Sequence, residues 1–309
     1  MPEAQLEAAT LAQFTAVRLR TADDAELGAR WYEPSAPARA VVVVAAAMGV
    51  RQEFYGALAS WLADRGIAAL TFDYRGIGDS APRSLRGFSA DLFDWARRDA
   101  AAALEDAVRR HPGVPVHWFG HSLGGQIFGL IPGHEQVASM ITVGTGSGYW
   151  RWHAPRLRIP ALLLWYLLAP VAIALAGYFP GQRFGVVGNI PAGAMWNWRR
   201  WCLHPLYLGG EGEPLRAELA AVTQPVAALL FSDDEMMTVA SLHRLFALYS
   251  SARVAFRVLA PARFALASVG HFGFFRQRNG DALWPLVTGW IDRGELPDET
   301  QQETEDGDR

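Results

Sequence analysis

The sequence predicts an α/β protein: a mostly parallel, doubly wound sheet interrupted by a helical cap insertion. Three observations carry this. Strand-like and helix-like segments alternate along most of the chain. Several strand segments are unbroken apolar runs, as expected of strands covered on both faces. One such run leads straight into a Gly-x-Ser-x-Gly string followed by an apolar stretch.

Residues 13–20 alternate in polarity and are followed, after an Asp-Asp turn, by residues 27–32, which reads as a β-hairpin. Residues 40–47 (AVVVVAAA) form the first buried strand, and helical spacing over 52–65 stops at Gly66. A second buried strand spans 67–72. A long amphipathic helix over 90–110 closes at His111-Pro112-Gly113, and a third strand over 114–119 precedes Gly120-His121-Ser122-Leu123-Gly124-Gly125. A short helix and a strand near 137–143 follow. The rhythm resumes with strand 226–231, helix 235–249, strand 253–259 and helix 281–293. Between them, residues 145–222 hold six of the twelve tryptophans and read as helices without strands, an insertion in one domain. The expected organisation is therefore a core of 13–144 and 223–294, a cap of 145–222, and a disordered acidic tail of 295–309.

The composition narrows the chemistry. With 309 residues, 51% hydrophobic and 19% charged, the chain is long and apolar enough for a large core. All 28 basic residues are arginine, so a Schiff-base lysine, a GxxxxGK phosphate loop and a Ser-Lys dyad are excluded. A single cysteine, Cys202, excludes an intrachain disulfide and multi-cysteine zinc sites. The histidines are scattered without metal-ligand spacing, so neither a metal nor a cofactor is expected. The tail carries seven acids and one arginine, which leaves the rest of the chain at +3 with no basic stripe for nucleic acid. The N-terminal MPEAQLEAATLAQF lacks the pattern of a secretory signal, and the expected location is cytoplasmic.

A serine hydroxyl is a weak nucleophile near neutral pH and needs a base, itself oriented by a carboxylate. Glycines flank Ser122 where a strained strand-to-helix turn leaves no room for side chains. Among eight histidines, only His271 follows the last strand, in a glycine-bearing loop (Ser268–Gly273). The acid is expected just past Phe231, where Ser232-Asp233-Asp234-Glu235 offers three carboxylates. Asp234 is the choice, with Asp233 the alternative or a turn-forming cap. Two backbone N–H groups should form an oxyanion hole: Leu123, and Val50 by position in the loop after the first buried strand, with Met48 the alternative.

These strings resemble the α/β-hydrolase superfamily, near its serine-aminopeptidase-like and monoglyceride-lipase-like enzymes and a bacterial group of predicted α/β hydrolases. Met48-Gly49-Val50 with Phe54-Tyr55 stands where the superfamily carries its oxyanion loop, with Met48 in place of the usual histidine. Asp73-Tyr74-Arg75-Gly76-Ile77-Gly78-Asp79-Ser80 resembles its D-x-R-G-x-G-x-S turn. There Asp73, Arg75 and Asp79 read as turn scaffolding, with a reach of Arg75 into the site as the alternative. The resemblance covers roughly residues 13–294 and implies the α/β-hydrolase fold and a triad of Ser122, Asp234 and His271.

The leading functional expectation is a serine hydrolase of the esterase/lipase type, cleaving a small-molecule carboxylic ester or thioester with an apolar acyl group through an acyl-enzyme. The alternatives are an acyltransferase, perhydrolase or peptidase on the same triad, or a non-catalytic membrane-associated binding protein. Residues 159–180 carry no charge and are long enough to cross a membrane. A single span there would part Ser122 from Asp234 and His271, and Pro170 should split the run into two short helices. The run is therefore expected to act as a lid, with Leu163, Trp165, Leu167 and Trp196 lining the substrate pocket, and with peripheral membrane contact as an alternative. Nothing in the sequence sets the oligomeric state.

Overall fold

The computed structural model describes residues 13–185 and 187–296; the readings of the N-terminal segment and of most of the acidic tail fall outside them. Eight strands form one sheet in the order β1-β2-β4-β3-β5-β6-β9-β10. These are β1 (Thr15–Arg20), β2 (Glu26–Tyr32), β3 (Ala40–Ala45), β4 (Ile67–Phe72), β5 (Val116–His121), β6 (Val137–Val143), β9 (Val226–Phe231) and β10 (Val254–Leu259). Only β2 runs against its neighbours; from β4 to β10 every pairing is parallel. β3, β4, β5 and β9 are buried along their whole lengths, which accounts for their unbroken apolar sequences. In a sheet of this kind ligands gather at the carboxyl ends of the strands, where loops from neighbouring strands converge.

Helix ends follow local chemistry. The helical run that closes at Arg110 starts at Leu92 behind a capping box of Asp91 and Asp94, and widens into a π-helical turn over Trp95–Ala100. The helix expected from residue 235 begins instead at Val239, capped by Thr238 and Ser241, because Asp233, Asp234 and Glu235 are held in the preceding loop. Pro285 divides the last helical stretch into Gly280–Leu283 and Pro285–Arg293.

The insertion departs from the sequence reading in two ways. It contains an antiparallel pair, β7 (Tyr178–Pro180) with β8 (Asn189–Pro191), where helices alone were expected. Its apolar run also forms one continuous helix from Pro155 to Ala176 rather than two. Pro170 lacks an N–H and crowds the carbonyl four residues back. A π-helical turn over Leu164–Leu168 directly precedes the segment that carries Pro170 in its first turn, so the coil accommodates the ring without breaking.

His117 on β5 shows how a buried titratable group shapes stability. Its Nδ1 lies 2.8 Å from Ser139 Oγ on β6, and burial pushes its pKa from 6.5 down to about 4. The native state thus keeps this ring neutral. Its contribution to stability is complete above the unfolded value of 6.5 and is lost as pH falls towards about 4. Denaturant unfolding along this pH range should show the wild type losing up to about 3 kcal/mol relative to His117→Gln. A difference that does not change with pH would refute this assignment.

Candidate active site

β5 delivers Ser122 to the carboxyl edge of the sheet in a conformation that few side chains tolerate. Ser122 has φ 50° and ψ −111°, and it is buried. Its N–H donates to the Val143 carbonyl at 3.0 Å, and its carbonyl accepts from Thr145 Oγ1 at 3.1 Å, so β6 and its loop grip both sides of the strained residue. Gly120 and Gly124 make the turn feasible. A Cβ on Gly120 would collide with the backbone of Gly124 and Gly125, and one on Gly124 with the Ala45 carbonyl of β3. Trp118 Nε1 donates to the Gly124 carbonyl at 2.9 Å and holds the turn from below.

β9 ends at Phe231, and the three carboxylates that follow all act on the loop carrying His271. Asp234 Oδ2 accepts from His271 Nδ1 at 2.9 Å, and both side chains are almost fully buried, at 2% and 1% exposure. Asp234 Oδ1 accepts from the Met236 and Met237 N–H groups, each at 2.8 Å, which fixes the carboxylate plane. Asp233 accepts from Val269 N at 2.8 Å and Gly270 N at 3.1 Å, and Glu235 accepts from His271 N at 2.9 Å. Of the two neighbouring aspartates, Asp234 meets the imidazole and Asp233 ties down its loop. Beneath the pair lies Gly144, with φ +61°. A Cβ there would stand 2.9 Å from His271 Nδ1 and 3.2 Å from Asp234 Oδ2. Gly144 follows Val143, whose carbonyl holds the Ser122 N–H, so Ser122 and the His–Asp pair converge on one short segment.

His121, beside the serine, has a role that its sequence position did not reveal. Its Nε2 lies 3.0 Å from the His271 carbonyl, which only accepts, so Nε2 carries the hydrogen. Nδ1 must then accept from the Tyr55 hydroxyl at 2.9 Å, and that hydroxyl accepts in turn from Ala47 N at 2.9 Å. Complete burial drives the His121 pKa well down and keeps this tautomer uncharged. One chain of hydrogen bonds therefore runs from the loop after β3, through the strand bearing Ser122, to the His271 loop. In the sequence Tyr55 and His121 stand in two separate strings, and nothing there joins them.

Two sequence expectations change. Val50, expected as the second oxyanion donor, gives its N–H to the Ala47 carbonyl at 3.0 Å, closing a turn in which Gly49 sits at φ +69°. A donor already committed to a turn does not face a ligand, and the alternative read from the sequence, Met48, is an inner residue of that turn. Leu163 and Leu167, expected to line the pocket, lie on the outward face of the cap helix, at 58% and 60% exposure. Trp196 is also exposed, whereas Trp165 is buried against Trp198 with ring centroids 4.9 Å apart. The run is apolar on every side, so hydropathy carried no information about which face turned inward.

The remaining residues are structural. Arg75 binds Asp99 through Nε at 2.7 Å and Asp23 through both terminal nitrogens, and does not extend into the site. Asp73 accepts from Gln52 N and Asp79 N, each at 2.8 Å, joining the loop after β3 to the loop after β4. From the cap, β8 and the chain before it lie over the Gly49 turn, where Gly188 packs on the Gly49 carbonyl. His153 comes closer to the acid than the sequence suggested: it is buried, with Nδ1 3.2 Å from the carbonyl of Met236, whose N–H binds Asp234. Among the described residues no cluster of His, Cys, Asp or Glu is suited to hold a metal ion.

A strained strand-to-helix serine, facing loops that bring an aspartate onto a histidine at the carboxyl edge of a mostly parallel sheet, defines the α/β-hydrolase fold. Solved structures of this fold are similar to the chain along most of its length. More particularly, the family described as serine aminopeptidase, S33 matches residues 36–172. A soluble variant of monoglyceride lipase from Saccharomyces cerevisiae, in complex with a substrate analogue, is similar at TM-score 0.65 and 17% identity, covering 94% of this chain and 97% of that one. An esterase from Pyrococcus furiosus is similar at TM-score 0.58 and 10% identity, with 90% of each chain covered. A Bacillus coagulans carboxyl esterase in complex with glycerol is similar at TM-score 0.58 and 14% identity, over 80% of this chain and 90% of that one. No curated protein matches the chain.

The geometry separates neighbouring carboxylates by experiment. Asp234→Asn should lower the rate at which a fluorophosphonate labels Ser122 by about a thousandfold, because the imidazole loses the acceptor that fixes its tautomer. Asp233→Asn should act mainly on thermal stability, through the 269–270 backbone. Gly144→Ala should slow labelling by about tenfold or more, since its methyl group displaces the imidazole and the backbone φ is unfavourable. Equal effects at Asp233 and Asp234, or a silent Gly144→Ala, would contradict the described geometry.

Proposed function

We propose that this protein is a serine hydrolase that cleaves a carboxylic ester or thioester with an apolar acyl group through an acyl-enzyme. The observation that carries the reading is the buried His271–Asp234 pair, held at 2.9 Å by loops that converge with the strained Ser122 backbone on Val143 and Gly144. The esterase and lipase names among the similar structures agree with it.

In this reading His271 takes the proton of Ser122 Oγ as the oxygen attacks the substrate carbonyl carbon. Asp234 holds the ring and stabilises the imidazolium. The N–H groups of Leu123 and Met48 receive the developing oxyanion. Collapse of the tetrahedral intermediate expels the alcohol or thiol with the proton from His271 and leaves the acyl group on Ser122. Water, deprotonated by His271, then attacks the acyl-enzyme, releases the acid and restores the serine. An apolar substrate is in keeping with the surroundings: Met48 and Met237 are buried in the loops after β3 and β9, and Phe272 and Phe275 lie against the His121 ring with centroids 5.5 and 4.5 Å away. Burial of Ser122, Asp234 and His271 strengthens the electrostatic terms on which the oxyanion depends.

A panel of p-nitrophenyl esters of increasing acyl length, with fluorophosphonate labelling, tests the reading. Ser122→Ala and His271→Ala should each lower kcat by several orders of magnitude, and the double variant should be scarcely worse than either, because the residues act as one unit. Medium or long acyl chains should be preferred to acetyl. Full activity in Ser122→Ala, or losses that multiply in the double variant, would refute the proposed mechanism.

A further inference from the structure

The cap helix from Pro155 to Ala176 has two apolar sides, and among the described residues only one of them has a partner. Trp165, Ala169, Ala172 and Ile173 are buried in the body of the protein. On the other side Ile159, Leu163, Tyr166, Leu167, Val171 and Leu175 are exposed, from 49% for Val171 to 74% for Leu175. At 1.5 Å per residue the helix is about 33 Å long, so the exposed stripe is far larger than the scattered apolar residues of an ordinary soluble surface.

The charged side chains seen at the stripe are arginines, while Arg200 of the same insertion is paired with Glu211. Residues 145–210 contain six arginines and no aspartate or glutamate, in a chain whose net charge is −3. Arg156 stands exposed at the start of the helix, and Arg86 donates to the Leu175 carbonyl at its far end, at 2.9 Å. At the middle, Arg199 lies between the rings of Tyr166 and Trp196, 5.3 and 5.8 Å from their centroids. Long aliphatic stems with cationic heads, next to amphipathic rings, suit the boundary between headgroups and acyl chains.

We infer that the outer face of this helix docks the protein, lying flat, on an anionic phospholipid surface. The partner is chosen by both halves of the observation. A protein partner or a second copy of the chain would satisfy the leucines alone, whereas a basic, acid-free surround matches a negatively charged bilayer. A transmembrane course is opposed by the structure: Arg199 Nε donates to the Trp165 carbonyl at 2.6 Å, and Trp165, Ala169, Ala172 and Ile173, from the middle of the helix onward, are buried against the protein. The inference does not depend on the hydrolase reading, since the surface lies outside the Ser122 site.

Flotation of the full chain with vesicles tests it. The protein should float with vesicles of phosphatidylcholine and phosphatidylglycerol, bind phosphatidylcholine alone about tenfold or more weakly, and be released by high salt or carbonate. Ile159→Asp with Leu175→Asp, at the two ends of the stripe, should abolish flotation, and Arg156→Glu should weaken it on anionic vesicles only. Unchanged circular dichroism and melting temperature show that these surface variants fold. Failure of the wild type to float, flotation indifferent to both sets of changes, or retention after carbonate would overturn the inference. So would a dimer in sedimentation that the paired aspartates convert to monomer while vesicle binding persists.

Discussion

The backbone of Ser122 is the constraint on which the site depends. A non-glycine residue held at φ 50° and ψ −111° costs on the order of 1–3 kcal/mol, and it persists only where surrounding structure over-determines it. Here β6 supplies both backbone partners, β3 comes so close that position 124 admits only glycine, and Trp118 holds the following carbonyl. The sheet order explains why these partners are available. β5 sits between β3 and β6, and His121 pairs with Val143, so the turn opens where both neighbours end. Placed on an edge strand, the same Gly-His-Ser-Leu-Gly-Gly string would have one neighbour and nothing to hold the strain.

The histidine side of the site is held in a different way, by charge and hydrogen bonds instead of packing alone. Asp233, Asp234 and Glu235 are adjacent carboxylates, an arrangement that repels itself unless each finds donors. Each does: Asp233 at two backbone N–H groups, Glu235 at one, and Asp234 at two together with the imidazole. Their mutual repulsion is thereby turned into a clamp on residues 269–271. The neutral His121 ring completes the arrangement from the other side. Its hydrogen on Nε2 secures the His271 carbonyl, and its free lone pair on Nδ1 reaches the Tyr55 hydroxyl and hence Ala47. A displaced loop after β3 would therefore be felt at the histidine, through this relay and through the Tyr55 ring, which packs edge-on against Phe275 at 4.9 Å.

The parts of the fold legible in the sequence are those where burial is symmetric. β3, β4, β5 and β9 lie between two layers, so their apolar runs have no phase to misread, and their limits were found to within two residues. The elbow was legible because sterics restrict it to glycine at fixed offsets. What could not be read depended on direction. Val50 and Met48 differ only in which N–H a four-residue turn consumes, and that follows from a Gly49 backbone at φ +69°. Leu163 and Leu167 differ from Trp165 only in the face they occupy on a helix that is apolar all round. Pro170 was read as a break because its effect on an α-helix is known, while the π turn that absorbs it leaves no mark in hydropathy. The short β7–β8 pair lay in segments too brief to show a period.

The cap raises the question of why one helix should be apolar on two sides. A lid that merely covers a site needs a single apolar face, and a leucine in water gains nothing for stability. Each of the exposed side chains also adds to the risk of self-association. A surface partner that receives them accounts for their presence, and the absence of acids from residues 145–210 specifies its charge. The topology adds a consequence. The helix lies in the insertion between β6, whose end grips Ser122, and β9, whose end carries Asp234, so anything that seats this helix acts on a segment tied at both ends to the site. A docked helix is also a fixed one, with Trp165 and Ile173 pressed against the body of the protein, and the Trp152 carbonyl just before it accepts from Thr238 Oγ1 at 2.6 Å, at the cap of the helix after the acid loop. The same insertion thereby joins the outer surface to the loop that orients His271, and it does so through packing and one hydrogen bond without requiring any rearrangement of the sheet.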